Sequence, residues 1–203
     1  MKPCASSNAI AVFLRTLSCL MILVAAPPAL ADFEAGAAAA RAGDFERARR
    51  EWLPLAEGGH RDAQFNLALF YENGLGVAAD GAMAAHWYRQ AAEGDDRTAQ
   101  AYLAEMYAQG LGVARDDVEA LRWYRRAAES GHPASQYNVG LFYAIGRGVA
   151  PNDTQAYAWL TVAHENGAPP TELLAFLKKH MNAASVREAE RLVGEVRRRC
   201  NVD

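Results

Sequence analysis

Apolar residues recur with a helical period through the middle of the chain. In residues 63–72, four positions spaced i, i+3, i+4 and i+7 share one face of a helix: Gln64, Leu67, Ala68 and Tyr71. The following Gly74 and Gly76 end this helix, because glycine readily adopts the left-handed backbone that a turn needs. Asp80 is then placed to cap a second helix that runs to about Glu93. The pattern predicts a helical hairpin with one buried face.

The hairpin pattern repeats with a constant offset of 36 residues. The aligned positions include Trp87, Trp123 and Trp159; Tyr71, Tyr107 and Tyr143; Gly74, Gly110 and Gly146; Gly76, Gly112 and Gly148. Alanines also align, at 84, 120 and 156 and at 91, 127 and 163, where small side chains would allow helices to approach closely. Because a hairpin with so narrow an apolar seam cannot bury it alone, we expect the units to stack.

The periodicity stops after Gly167, as it should where a stack of helices needs a polar outer cover. Thr171 is predicted to cap a helix that ends at about His180. Ser185 and Glu188 form a capping-box pattern that would open a final amphipathic helix, ending at about Arg199. We interpret both as capping helices; a partner-binding final helix is the alternative.

A family resemblance follows from the second unit, which reads Ala99-Gln100-x-x-Leu103-Ala104-x-x-Tyr107-x-x-Gly110-x-Gly112-Val113, then Asp116, Ala120, Trp123-Tyr124, Ala127-Ala128 and Gly131. This motif resembles the Sel-one-like repeat, a relative of the tetratricopeptide repeat. The resemblance extends from Asp32 to about Gly167, and residues 32–62 resemble a tetratricopeptide-type opening unit. The sequence departs from the family pattern at Ala68 and Ala104, where glycine is frequent, and at Leu160 and His164 in the last copy.

The resemblance implies an all-α fold, a right-handed superhelical solenoid of stacked antiparallel helix pairs with C-terminal capping helices. The implied divisions are residues 32–62 for the opening unit, 63–98, 99–134 and 135–170 for three repeats, and 171–203 for the cap. Members of this family mostly mediate protein interactions, often in bacterial envelopes, and share no reaction. A few cysteine-rich relatives bind or hydrolyse β-lactams, but their hairpins are stapled by disulfides.

Composition and charge narrow the class of partner. The 203 residues include 21 Lys and Arg and 24 Asp and Glu, for a formal charge of −3. This balance gives no electrostatic reason to expect nucleic acid as a partner. With 51% hydrophobic and 22% charged residues, the chain is not of a disordered or multi-span membrane type.

Residues 1–31 have the pattern of a secretory signal. Lys2 and Arg15 flank an apolar run, and Ala29-Leu30-Ala31 supplies a small-x-small cleavage site. The run is shorter than the roughly 20 residues of a membrane span, so we expect cleavage and no stable span afterwards. We therefore expect a periplasmic or secreted protein. Cleavage would remove Cys4 and Cys19, and Cys200 would have no intramolecular disulfide partner.

Candidate chemistry is sparse. Gly74-x-Gly76 is similar to a phosphate loop, but it recurs at three helix turns and follows no strand. His60 and His132 occupy one column of the turns between units and are interpreted as turn residues. The sequence holds no His-Glu-x-x-His, cysteine pair for zinc or Gly-x-Ser-x-Gly motif. We predict no catalytic residue, no metal site, no cofactor and no enzymatic activity.

A candidate binding surface follows from the resemblance, because the first helix of each pair lines the concave surface in tetratricopeptide-like stacks. The candidate positions, here named the concave stripe, are Phe33, Phe65, Leu69, Glu72, Ala101, Glu105, Tyr137 and Leu141. Apolar anchors mixed with carboxylates suit an extended peptide or a partner helix. The alternative is that Phe65 and Leu141 simply pack against neighbouring helices.

Together these observations predict a monomeric, exported scaffold or adaptor that binds a protein or peptide in the bacterial envelope. A stoichiometric regulator of an envelope signalling or polysaccharide system would have the same architecture, so this alternative stays open. A β-lactam-binding or hydrolysing enzyme is a further alternative, which the single remaining cysteine disfavours.

The export prediction can be tested directly. We expect N-terminal sequencing of protein from the native host to begin at Asp32 or within a few residues of it, because the apolar run and the small-x-small site direct cleavage there. Intact Met1 on membrane-bound protein would contradict it.

Overall fold

The computed structural model describes residues 32–169 and 171–200; the predicted signal, residues 1–31, lies outside this part, as do residues 170 and 201–203. Ten α-helices and no strands make up the described residues. Their bounds are α1 Phe33–Arg41, α2 Phe45–Glu57, α3 Arg61–Asn73, α4 Gly81–Glu93, α5 Arg97–Gln109, α6 Asp117–Glu129, α7 Pro133–Ile145, α8 Asp153–Glu165, α9 Glu172–His180 and α10 Ala183–Arg199. Each helix from α1 to α8 packs on the next, which confirms the predicted all-α solenoid of stacked helix pairs.

Polar caps set the start of each helix in the repeats. Asp80, Asp116 and Asn152 cap α4, α6 and α8 as predicted; Asp80 Oδ1, for example, accepts from the backbone N–H groups of Ala82 and Met83 at 2.9 and 3.0 Å. The first helices of the three repeats are capped by His60, Asp96 and His132. The two turn histidines therefore have a definite structural role, since each ring Nδ1 accepts the backbone N–H of the residue three positions on.

The core consists of columns of small alanine side chains and of large tryptophan rings. The alanines at 84, 120, 156, 91, 127 and 163 are all fully buried. Trp87, Trp123 and Trp159 are 6%, 2% and 0% exposed and fill the space beside these alanines. On the predicted buried face of α3, Gln64, Leu67 and Ala68 are buried, whereas Tyr71 is only partly buried.

A buried glutamine ties each repeat to the unit before it. The side-chain Nε2 groups of Gln64, Gln100 and Gln136 donate to the carbonyl oxygens of Ala56, Ala92 and Ala128, at 2.9, 3.0 and 3.0 Å. Each acceptor lies in the last turn of the preceding helix. A hydrogen bond of this kind contributes about 1 kcal/mol, and leaving the buried amide unpaired would cost more. The bonds therefore help to set the position of each pair on its neighbour.

The two glycines of each turn have different structural roles. The first, Gly74, Gly110 or Gly146, ends its helix in the left-handed conformation. The second lies against the start of a helix in the preceding unit: Gly76 on Phe45 and Glu46 of α2, Gly112 on Gly81 of α4, and Gly148 on Asp117 of α6. A Cβ atom at any of these three positions would overlap those atoms, so the second glycine allows the units to touch backbone to backbone.

The third turn carries an arginine where the first two carry leucine. The Arg147 guanidinium donates to the Ala108 carbonyl oxygen at 2.8 Å and from its Nε to the Asp117 carboxylate at 3.1 Å. These bonds, together with those from Arg115, lower the pKa of Asp117 to about 2. The ionised pair therefore adds a polar link between the second and third repeats.

The C-terminal helices cover the last pair. Thr171 caps α9 by accepting the Leu173 backbone N–H at 3.1 Å, as predicted. The predicted capping box at Ser185 is wrong: α10 begins at Ala183, and Asn182 Oδ1 accepts the Ser185 N–H at 2.9 Å. Asn182 takes the cap because its side chain reaches the first turn, which leaves Ser185 inside the helix. Helix α10 packs on α8 through a buried stripe of Ala189, Leu192, Val193 and Val196.

The contact at the second glycine predicts an unequal cost for two alanine substitutions. Gly112→Ala adds a side chain at a φ of +68° and also overlaps Gly81, whereas Gly43→Ala, at a φ of +79°, meets nothing within 4 Å. We expect Gly43→Ala to cost about 1 kcal/mol of unfolding free energy from backbone strain alone. Gly112→Ala should cost about 1–3 kcal/mol more, measured by urea unfolding. Equal losses would show that the units do not touch at Gly112.

Candidate partner-binding groove

The first helices of the second and third repeats enclose a recess between them. Its volume is about 200 Å³, and we name it the α5–α7 recess. Its walls are Ala101, Tyr102 and Glu105 of α5, Tyr124 of α6, and His132, Ala134, Ser135 and Asn138 at the start of α7. Two residues of the predicted concave stripe, Ala101 and Glu105, therefore line it. The other walls were not predicted.

An aromatic cluster forms one side of the recess. The exposed Tyr102 ring stacks on the buried Tyr88 ring with centroids 5.1 Å apart and planes 15° apart. Phe65 contacts both rings edge-on, at 5.6 and 5.8 Å. Phe65 thus joins neighbouring helices, whereas Tyr102 retains 39% of its surface exposed. Of these three rings, Tyr102 offers the greatest area to a partner.

Two tyrosine hydroxyls hold two carboxylates of the concave stripe. Tyr88 on α4 donates to Glu72 Oε2 at 2.6 Å, and Tyr124 on α6 donates to Glu105 Oε2. Burial, followed by the hydrogen bond to the carboxylate, raises the pKa of both Tyr88 and Tyr124 above the ordinary tyrosine range. Both hydroxyls therefore remain donors at neutral pH and orient the carboxylates.

The remaining stripe residues are distributed along the stack. Phe33 lies on Trp52 and His60, with ring centroids 5.8 and 4.9 Å apart, in the opening unit. Leu69, Tyr137 and Leu141 are partly buried, and Tyr137 packs against the core. None of these four residues lines the α5–α7 recess.

The recess uses a column that the sequence analysis missed. Tyr102 and Asn138 follow stripe residues Ala101 and Tyr137 by one position, and Asn66 is their counterpart in the first repeat. A column of polar and aromatic residues adjoining an apolar one was the available signal. It was missed because the choice between adjacent columns depends on how the helices rotate in the stack.

The recess also contains a serine–histidine pair whose geometry is structural. His132 Nδ1 lies 2.9 Å from Ser135 Oγ and accepts the Ser135 backbone N–H at 3.2 Å. Ser135 is fully buried, so its hydroxyl is not accessible to a substrate. Burial, and then the charge of Arg97, lowers the pKa of His132, which keeps the ring neutral and able to cap α7.

Among residues 32–169 and 171–200, no group of three or more His, Cys, Asp or Glu side chains is placed to hold a metal ion. No helix of the same ranges has the length and apolar character needed to cross a membrane.

The fold and the repeat contacts define a helical-repeat protein of the α-solenoid class. A family model described as the Sel1 repeat matches residues 61–96, 98–132 and 133–167, and the chain belongs to this family. The Sel1 scaffold indicates a function in protein–protein interaction, and the family is generally a non-catalytic scaffold.

A solved Sel1 repeat structure shares the fold, and a second solved structure shows a weaker similarity. A Sel1 repeat protein from Oxalobacter formigenes is 31% identical, with a TM-score of 0.66, over 87% of this chain and 77% of that one. A protective antigen of uropathogenic Escherichia coli strains that displays an SLR fold is 26% identical, with a TM-score of 0.44, over 82% of this chain and 45% of that one. A comparison with curated proteins found no match.

The two buried tyrosines predict a loss of stability at alkaline pH. In the unfolded chain a tyrosine ionises near pH 10, whereas the raised pKa values keep Tyr88 and Tyr124 neutral in the fold. Their contribution is therefore fully present below pH 10 and is lost as the pH rises further, by about 1 kcal/mol for each tyrosine at pH 11. We expect a Tyr88→Phe/Tyr124→Phe double variant to lose less stability between pH 8 and pH 11, measured by urea unfolding. Parallel losses in the two proteins would contradict this assignment.

Proposed function

We propose that this protein is an exported, non-catalytic scaffold or adaptor of the bacterial envelope, which holds a protein partner along the concave stripe and in the α5–α7 recess. The observation that carries the proposal is the recess itself, with the exposed Tyr102 ring on one side and the carboxylate of Glu105 in its wall. Tyrosine is favoured at the centres of protein interfaces, because it offers a large rigid surface and a polar tip.

The repeat architecture supports a binding role for this surface. The residues of α5 that hold the stack together, Gln100, Leu103 and Ala104, are buried, whereas Ala101, Tyr102 and Glu105 face the recess. A helix with separate core and recess faces can vary its recess residues without disturbing its packing. Regular helices also satisfy their own backbone, so a partner must be recognised through these side chains.

Export is proposed from the secretory pattern of residues 1–31. A stable fold outside the cytoplasm often depends on disulfides, but residues 32–169 and 171–200 contain a single cysteine, and helix packing closes their core. The thiol of Cys200 is buried, and burial raises its pKa, which limits its oxidation. These properties suit a monomer in an oxidising compartment, and we propose that state for the protein.

The proposed binding surface can be tested by a matched pair of substitutions. Tyr102→Asp places a charge in the recess wall, and Val118→Asp places the same charge on the start of α6, where Val118 is 62% exposed. We expect Tyr102→Asp to reduce recovery of the partner from envelope extract by about tenfold or more, because it removes a central aromatic contact. The control Val118→Asp should recover the partner as the unmodified protein does.

Circular dichroism at matched concentration would verify that both variants keep their helices. Undiminished capture of the partner by a folded Tyr102→Asp variant would show that the binding surface lies outside the recess. Equal loss in both variants would indicate that charge alone, at either place, disturbs binding.

A further inference from the structure

We propose that the α5–α7 recess binds an extended, basic segment of the partner, in which an arginine or lysine stands beside an apolar side chain. The cation would lie against the Tyr102 ring and pair with Glu105, and the apolar side chain would enter the recess between Ala101 and Ala134. This inference rests on the proposed function and names the chemistry of the partner.

Charge is the first support. Glu72 and Glu105 form no ion pair among the described residues, and no Lys or Arg lines the recess. Residues 32–170 contain twelve basic and nineteen acidic residues, whereas residues 171–200 contain seven basic and four acidic. The negative charge therefore belongs to the opening unit and the three repeats, and it favours a cationic partner there.

Hydrogen-bonding capacity is the second support. Glu105 accepts Tyr124 Oη–H at one oxygen and Gln109 Nε2–H at the other, and within the described part of the chain Glu72 accepts only Tyr88 Oη–H. A carboxylate has about four acceptor sites, so each can still accept N–H groups from a guanidinium or ammonium. Because the tyrosines already orient both carboxylates, little side-chain freedom remains to be lost on binding.

The exposed aromatic ring is the third support. Tyr102 is backed by Tyr88 at 5.1 Å, which holds its ring in place while leaving it open to solvent. A cation over such a ring is attracted by the negative charge of the π face. Arginine fits best, because its planar guanidinium can stack on the ring and bind a carboxylate at the same time.

The neighbouring repeats show that these residues are not demanded by the fold. Leu69 and Leu141 occupy the column of Glu105, and Asn66 and Asn138 occupy the column of Tyr102. Stacking therefore tolerates leucine in one column and asparagine in the other. In these two columns, a carboxylate and an exposed tyrosine occur together only in the second repeat, where the recess lies.

The proposed chemistry of the partner can be tested by peptide selection and by substitutions at Glu105 and Tyr102. A phage-displayed library of random dodecapeptides would be selected on immobilised protein expressed as the full chain, and the enriched sequences synthesised with a fluorescent label. We expect them to contain Arg or Lys next to an aliphatic residue. Fluorescence anisotropy should show affinity falling about tenfold or more in Glu105→Gln and in Tyr102→Asn, and falling as salt is raised.

The variants are chosen to keep the fold. Glu105→Gln retains a side chain of the same shape without its charge, and Tyr102→Asn copies the neighbouring repeats. Val118→Asp, away from the recess, should bind as the unmodified protein does. Enriched peptides without a basic residue, bound in a Tyr102-dependent manner, would overturn this inference and leave the proposed function standing. No enrichment over the Tyr102→Asn protein would overturn both.

Discussion

The backbone contact between successive units is the constraint on which the rest of this structure depends. A single helix pair cannot bury its own narrow apolar seam, so each pair must approach the next closely. Gly76, Gly112 and Gly148 permit that approach, since a side chain at any of them would overlap the preceding unit. The alanine columns then close, and the buried glutamines reach the carbonyl oxygens of the preceding helices. The spacing of α5 and α7, and with it the recess, follows from this contact.

Two tyrosines connect the buried core to the concave stripe. Tyr88 and Tyr124 have buried rings, yet their hydroxyls hold Glu72 and Glu105 of the concave stripe. The rings lie on the second helix of each pair and are held in place by packing. Their hydroxyl groups therefore hold the carboxylates in a fixed position. In the proposed complex the carboxylates of the concave stripe are already oriented before the partner binds, which reduces the entropy lost on binding.

The repeats and the C-terminal cap differ in net charge. The repeats are acidic, and the α9–α10 cap is basic and closes the last pair through α10 on α8. An ion pair between Arg197 and Glu165 fastens α10 at its C-terminal end, with Nε and Oε2 2.8 Å apart. The cap therefore completes the core of the last helix pair.

Much of the fold was determined by the sequence alone. The 36-residue period, the caps Asp80, Asp116, Asn152 and Thr171, and the alanine columns are local features, and the structure confirms them. Only the tertiary structure decided the α5–α7 recess, the shift of the α10 cap from Ser185 to Asn182, and the tyrosine–carboxylate bonds. Periodicity reports which face of one helix is buried. The recess instead depends on the distance and rotation between α5 and α7, which a whole intervening helix separates along the chain.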